Sequence, residues 1–225
     1  MIPWILLDSA PVPGNGGELR LYQRDDELSI RIVGHGELMN SRIHGSEEAL
    51  AERTCARLVD DAKPRLLIGG LGMGFTLAAA LRQLGDQAQV VVAELVPAVV
   101  DWNKGPLGAP AGHPLEDPRV TVRTVDVARI LKTEQQAFDA ILLDVDNGPE
   151  GLTHKTNDWL YSLNGLNAAY AALRHQGVLA VWSAGPDPKF RQRLCKVGFE
   201  VDEIRIRARG SKGARHIIWF ARRGL

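Results

Sequence analysis

The chain has 225 residues, 45% of them hydrophobic and 24% charged, with 27 Lys or Arg balanced by 27 Asp or Glu. That length supports one large domain with a full core, and the composition excludes disorder, collagen and coiled coil. The longest apolar runs fall short of the ~18 residues a membrane span needs. The opening run from Ile2 to Leu7 is broken by Pro3, lacks a basic flank and is too short for a signal peptide. Two cysteines, Cys55 and Cys195, form no metal or redox motif, which fits a reducing cytoplasm. The charge is unevenly spread. From Lys189 to Leu225 there are 11 Lys or Arg against 3 Asp or Glu, so an acidic body is joined to a basic end. Such a region reads first as a solvated helix and hairpin, and second as a rim for an anionic substrate or a nucleic acid.

Residues 1–45 read as an amino-terminal segment with a β-hairpin. Pro11, Pro13, Gly14, Gly16 and Gly17 break the chain, and Glu18–Gln23 and Leu28–Val33 then alternate polar and apolar residues about a turn at Arg24-Asp25-Asp26. Residues 46–225 read as one domain in which strands and helices alternate. Its first helix starts at Ser46, an N-cap candidate, with Glu47 and Glu48 in the first turn where the helix dipole favours acids. That helix is expected to reach about Asp61 and stop before Pro64. Strands are predicted at Leu66–Ile68, Val90–Ala93, Val120–Val125, Ala140–Leu143 and Val178–Trp182. Helices are predicted at Phe75–Leu84, Val96–Asn103 and Asp158–His175, and Gly105–Pro118 is a loop without periodicity. After a helix at Lys189–Val197, Phe199–Ala208 and His216–Ala221 are strands joined by a turn containing Gly210 and Gly213.

Strands separated by helices pair in parallel through right-handed crossovers, while two strands joined by a short turn pair antiparallel. The expected fold is α/β. It is a Rossmann-like methyltransferase fold, a mostly parallel seven-stranded sheet ending in an antiparallel hairpin, with a short amino-terminal β-hairpin.

The strongest local signal is Ile68-Gly-Gly-Leu-Gly-Met-Gly, where the first parallel strand becomes a helix. Gly70, Gly72 and Gly74 let the backbone turn tightly and approach a ligand, and the following helix offers free N–H groups to an anionic one. Glu94 ends the next strand 20 residues after Gly74, where an acid accepts hydrogen bonds from ribose hydroxyls. Asp126 follows the third strand and can accept from an adenine amino group; it can equally be a helix cap. The spacing Gly-x-Gly-x-Gly is not that of dinucleotide folds and favours S-adenosylmethionine over NAD. The fourth strand ends in Asp144-Val-Asp146-Asn147-Gly148-Pro149. Asp144 and Asp146 can orient an acceptor or take its proton, and the same residue types also make an Asx-turn. No second ligand cluster accompanies them, and no metal is assigned. His154 stands close enough in sequence to assist proton transfer. Trp102 and Trp159 read as packing against the sheet or bordering the cofactor.

Several motifs resemble the spermidine synthase family in order and spacing: Leu66–Gly74, Val92-Ala-Glu-Leu, Glu116-Asp-Pro-Arg-Val, Phe138-Asp-Ala-Ile-Leu-Leu-Asp and Leu160-Tyr-Ser. The resemblance covers roughly residues 18–184. It implies a nucleotide site of Gly70, Gly72, Glu94 and Asp126, with Asp144 nearest the reacting amine. The sequence also departs from that family's pattern. The family's Gly-Gly-Gly-Asp-Gly loop, whose acid contacts the amine of decarboxylated S-adenosylmethionine, is one residue longer here and carries Leu71 and Met73 instead. Its Tyr-His-Glu corresponds to Leu50-Ala51-Glu52, and its Asp-x-x-Asp-Pro is shortened to Asp144-x-Asp146-Asn147. An acid-free loop can accept the carboxylate of intact S-adenosylmethionine.

From sequence, therefore, the protein reads as a cytoplasmic transferase binding S-adenosylmethionine or its decarboxylated form, with methyl transfer to a small acceptor first and aminopropyl transfer to a diamine as its rival. Few carboxylates and aromatics are visible to hold a polyamine. Glu94→Ala is expected to weaken nucleotide binding and leave the fold intact. A nucleic-acid module docking through residues 189–225 and a homodimer through the Gln23–Ile43 hairpin are the other partner readings.

Overall fold

Alternating burial builds a first sheet. In the computed structural model, which describes residues 2–14, 16–59, 63–145, 158–209 and 212–224, strands β1 (Ile5–Pro11), β2 (Glu18–Arg24), β3 (Glu27–Ile32) and β4 (Gly36–Asn40) pair antiparallel in that order. Leu19 and Leu21 on β2 and Leu28, Ile30 and Ile32 on β3 are buried on one face, the period-two signature of a half-covered sheet. Arg24 and Glu27 close the β2–β3 turn with an ion pair at 2.6 Å. The expected hairpin is thus the middle of a four-stranded meander. β1 escaped the pattern because Ile5, Leu6 and Leu7 lie exposed in a row at the sheet edge, and β4 because Gly36, Glu37, Leu38 and Met39 do not alternate.

Helix α1 (Gly45–Cys55) follows, shorter than expected. His44, not Ser46, occupies the N-cap position; Ser46 lies inside the first turn, its hydroxyl donating to Glu47 Oε2 at 2.9 Å.

The second sheet has the expected architecture. Its elements are β5 (Arg65–Gly69), α2 (Phe75–Gln83), β6 (Gln89–Ala93), α3 (Pro97–Lys104), α4 (Gly108–Ala111), a 3-10 turn at Pro114–Glu116, β7 (Val120–Arg123), α5 (Val127–Thr133) and β8 (Phe138–Leu143). Then come α6 (Asp158–Tyr161), α7 (Leu163–Ala172), β9 (Leu173–Ser183), α8 (Pro188–Val197), β10 (Phe199–Arg209) and β11 (Lys212–Arg223). The strand order is β10-β11-β9-β8-β5-β6-β7, with β5 to β9 parallel and β11 antiparallel to both neighbours. Central strands such as Leu66–Ile68 and Ala140–Leu143 are continuously apolar because helices cover both faces. One core lies beneath α1, α2, α3 and the meander, the other beneath α5, α7 and α8.

The single helix expected over Asp158–His175 is two helices. Ser162 divides them, its hydroxyl accepting from the Gly165 N–H at 3.2 Å to cap α7, a local bond that competes with helix continuation. β9 accordingly starts at Leu173 rather than Val178, with a register slip between the Phe138–Leu173 and Ala140–Val178 pairs. Among the described residues no helix is long and apolar enough to cross a membrane.

Candidate functional site

The carboxyl ends of the parallel strands converge on one edge of the sheet, and the meander folds over that edge. Gly70, at φ +91, leaves β5 where a Cβ would stand 2.6 Å from the carbonyl oxygen of Asp144, so the glycine loop and the end of β8 cross without room for a side chain. Met39 of β4 covers Gly72, its sulfur 3.1 Å from where a Cβ would be. Asn103 of α3, buried, donates through Nδ2 to the Gly72 carbonyl at 2.8 Å and pins the loop from behind. Gly74 stands apart from the other two: it is the N-cap residue of α2, packed by Asn103 and Pro114.

Two cavities adjoin at this edge. The smaller, about 130 Å³, is lined by Gly70, Gly72, Glu94, Leu95, Val96, Asp126, Val127 and Asp144, with Leu38 and Met39 of β4 as its roof. Glu94, 7% exposed, is already bonded: Oε2 accepts from the Leu71 N–H and Oε1 from the Val96 N–H, each at 2.8 Å. Burial pushes its carboxyl up, and those N–H groups oppose the push. The acid therefore shapes the loop as well as facing the cavity, and removing it affects both; the fold-neutral outcome expected of Glu94→Ala gives way to one that includes the loop. Asp126 is the helix cap its position allows, and it also faces this cavity. Its Oδ1 accepts from the Ala128 N–H at 2.8 Å, capping α5, while the residue lines the cavity.

The larger cavity, about 280 Å³, shares Leu38, Met39, Gly72 and Asp144 with the first. Its walls add Glu37 of β4, Ser46 and Glu47 of α1, Phe75 and Thr76 of α2, Trp182 of β9 and His216 of β11. Asp144 Oδ2 accepts from the Thr76 hydroxyl at 2.6 Å. Burial raises the Asp144 carboxyl above its ordinary range, opposed by that hydroxyl. Glu47 is pushed up to about 7, by burial first and by the nearby Asp144 charge second. Glu37 accepts from the Ser29 hydroxyl at 2.8 Å and from Asn40 Nδ2 at 2.7 Å. Trp182 and His216 meet edge to face, ring centroids 4.7 Å apart, and burial lowers the His216 imidazole below its ordinary range. Among the described lining residues there is no Lys or Arg.

Sequence reading thus identified the smaller cavity's acids and Asp144 but missed Glu37, Glu47, Thr76, Trp182, His216 and Asn103. Asp146 and His154 lie outside the described residues. Trp102 is a buried core residue whose Nε1 donates to Asp8 at 2.7 Å, and Trp159 lies under the Lys132 ammonium at 4.2 Å. Leu50 and Ala51, the positions corresponding to the resembled Tyr-His pair, are fully buried in the core; the acid facing the cavity is Glu47, one turn earlier.

The family model described as spermine/spermidine synthase domain matches residues 53–193, more than half of the chain. The chain belongs to that family. Its members are transferases of the S-adenosylmethionine pathway, and this chain is one of those enzymes. Among solved structures it is similar to the spermidine synthase from Thermotoga maritima, with TM-score 0.76 and 18% identity over 98% of this chain and 73% of that one. A spermidine synthase in complex with the transition-state analogue AdoDATO gives TM-score 0.75 at 18% identity, with the same shares covered. A probable spermidine synthase from Corynebacterium glutamicum gives 0.66 at 15%, over 96% of this chain and 79% of that one. At these identities the likeness is one of fold. Comparison with curated proteins found no match by sequence.

Proposed function

We propose that the protein transfers an aminopropyl group from decarboxylated S-adenosylmethionine to a small cationic amine. One observation carries the acceptor half of this reading: the cavity beside Asp144 is walled by Glu37, Glu47 and Asp144 and by the Phe75 and Trp182 rings, with no cation among its described lining residues. Carboxylates and aromatic faces are what an ammonium group needs when it leaves water. The smaller cavity suits the nucleotide, with Glu94 accepting from ribose hydroxyls, Asp126 from the adenine amino group, and Gly70 and Gly72 giving the backbone close approach. Asp144, common to both cavities, takes the proton of the acceptor nitrogen as that nitrogen bonds to carbon and the carbon–sulfur bond breaks, the electron pair staying on sulfur. Most of the rate then comes from holding nitrogen, carbon and sulfur in line.

Methyl transfer into the same cavity is the second reading, favoured by the absence of an acid at Leu71 and Met73. Its weakness is that the Leu71 N–H, one of the donors a methionine carboxylate would use, is already held by Glu94. The test is to incubate the protein with putrescine and each nucleotide in turn and weigh the products. An aminopropylated diamine from the decarboxylated nucleotide is expected. A methylated amine from intact S-adenosylmethionine, with no aminopropyl product, overturns the first reading in favour of the second.

A further inference from the structure

Glu47 and Asp144 reach the larger cavity from different layers of the fold. Glu47 stands in the first turn of α1, which packs on α2, and Asp144 ends the central strand β8. Thr76 of α2 stands beside both residues: its hydroxyl donates to Asp144 Oδ2 at 2.6 Å and lies 3.5 Å from the main-chain carbonyl oxygen of Glu47. Among the described residues, the groups facing this pair do little to neutralise it. On α1, the Ser46 hydroxyl donates to Glu47 at 2.9 Å, and His44 is turned to Glu48 at 3.3 Å. β4 contributes another acid, Glu37; β9 contributes Trp182; β11 contributes His216, whose imidazole burial holds in its neutral form at neutral pH. No Lys or Arg is present among the described lining residues. Two half-buried carboxylates with no counter-ion among the described lining residues do not both ionise readily, because each charge is poorly solvated and each repels the other.

We propose that Glu47 and Asp144 hold a single proton between them in the empty cavity and release it to solvent when the acceptor's ammonium group enters. The balance is simple. The amine arrives charged, a proton leaves, and both carboxylates then face one cation. Glu47 is thereby a specificity-determining residue. A neutral alcohol of the same length offers no charge to displace the proton, and an anion is repelled. Burial and the Asp144 charge push the Glu47 carboxyl up to about 7, against the opposing pull of the Ser46 hydroxyl, which agrees with this arrangement. The displacement half rests on the amine-acceptor reading; the shared proton of the empty cavity does not.

The experiment has two arms. In the first, carbon-13 carboxyl signals of the empty full-length protein are followed against pH. The pair is expected to titrate in two coupled steps with one proton retained near neutrality, and Glu47→Gln is expected to remove the upper step. Full ionisation of both carboxyls by about pH 5 overturns the proposal. Should Glu47→Gln not fold, Glu47→Asp keeps the acid and is expected to keep both steps. In the second arm, putrescine is titrated calorimetrically at neutral pH into the wild type and Glu47→Gln, in two buffers of different ionisation enthalpy. Proton release near one per amine bound is expected in the wild type and several-fold less in the variant. Binding without release overturns the displacement. Failure of putrescine to bind defeats the amine reading and the displacement with it, while the first arm still decides the shared proton.

Discussion

The two cavities that meet at Asp144 are made in different ways. The smaller takes its acids from successive strand ends of one sheet, Glu94 after β6 and Asp126 after β7, beside a glycine loop contiguous in sequence. The larger draws four residues from β4, two each from α1 and α2, and one each from β9 and β11, from Glu37 to His216. A site built on one repeating structural unit leaves a periodic trace in the chain. A site built by folding a meander and a carboxyl-terminal hairpin over that unit leaves scattered residues, each of which reads locally as something else.

That contrast can be broken by mutation, beginning with the residue both cavities share. Asp144→Asn keeps the shape of the Thr76 contact but removes the base, so turnover is expected to fall by ~10²–10⁴ while nucleotide affinity stays near wild type. Equal loss of nucleotide binding, read by titration, would show that the two cavities are not separable. Glu94→Ala strands the Leu71 and Val96 N–H groups, at ~1–3 kcal/mol each. Nucleotide affinity is expected to drop ~10–100-fold, with a lowered melting temperature. An unchanged melting temperature would return Glu94 to a purely ligand-facing role. Gly70→Ala drives a Cβ into the Asp144 carbonyl at a positive φ, with an expected stability loss of ~2 kcal/mol and damage to both cavities by denaturant unfolding and ligand titration.

The smallest expected effect concerns only the larger cavity. The Glu47 carboxyl sits at about 7 in the folded chain against an ordinary 4.5, so the folded state holds a proton that the unfolded chain releases. The resulting stabilisation is complete below about pH 4.5 and disappears as pH rises through about 7. Above that, the empty wild type carries a poorly solvated charge. Glu47→Gln carries none and is expected to be more stable at about pH 8 by ~1–2 kcal/mol, with little difference at about pH 4. Thermal melts at both pH values check this, and equal melting temperatures at the higher pH would contradict it.

These differences explain what was legible in the sequence. The glycine loop, Glu94, Asp126 and Asp144 could be found because strand-loop-helix periodicity fixes where strand ends fall. Glu47 was visible but was read as a first-turn acid favoured by the helix dipole, and nothing local tells a solvent-facing acid from one turned toward the end of a distant strand. Trp182 reads as strand filler and His216 as the start of a strand; only pairing β11 against β9 brings them together, as the Ile218–Trp182 register does. On the proposed amine-acceptor reading, Glu37 and Glu47 would stand in the cavity for the polyamine-binding groups missing at Leu50-Ala51-Glu52. β1 was missed because its apolar residues face outward at an edge, against the usual sense of the pattern. Ser162, the last residue of the Leu160-Tyr-Ser motif, falls in a stretch of helical periodicity, and only the bond its hydroxyl accepts from the start of α7 marks the break.

The central claim is that the larger cavity receives a cation. It is tested most directly by measuring, on the nucleotide-loaded protein at neutral pH, the affinities of putrescine and of the matching straight-chain diol, which has the same length and no charge. The account predicts binding of the amine at least ~100-fold tighter than the diol, on the order of 3 kcal/mol, with the advantage reduced in both Asp144→Asn and Glu47→Gln. Equal affinities, or preference for the diol, would contradict it.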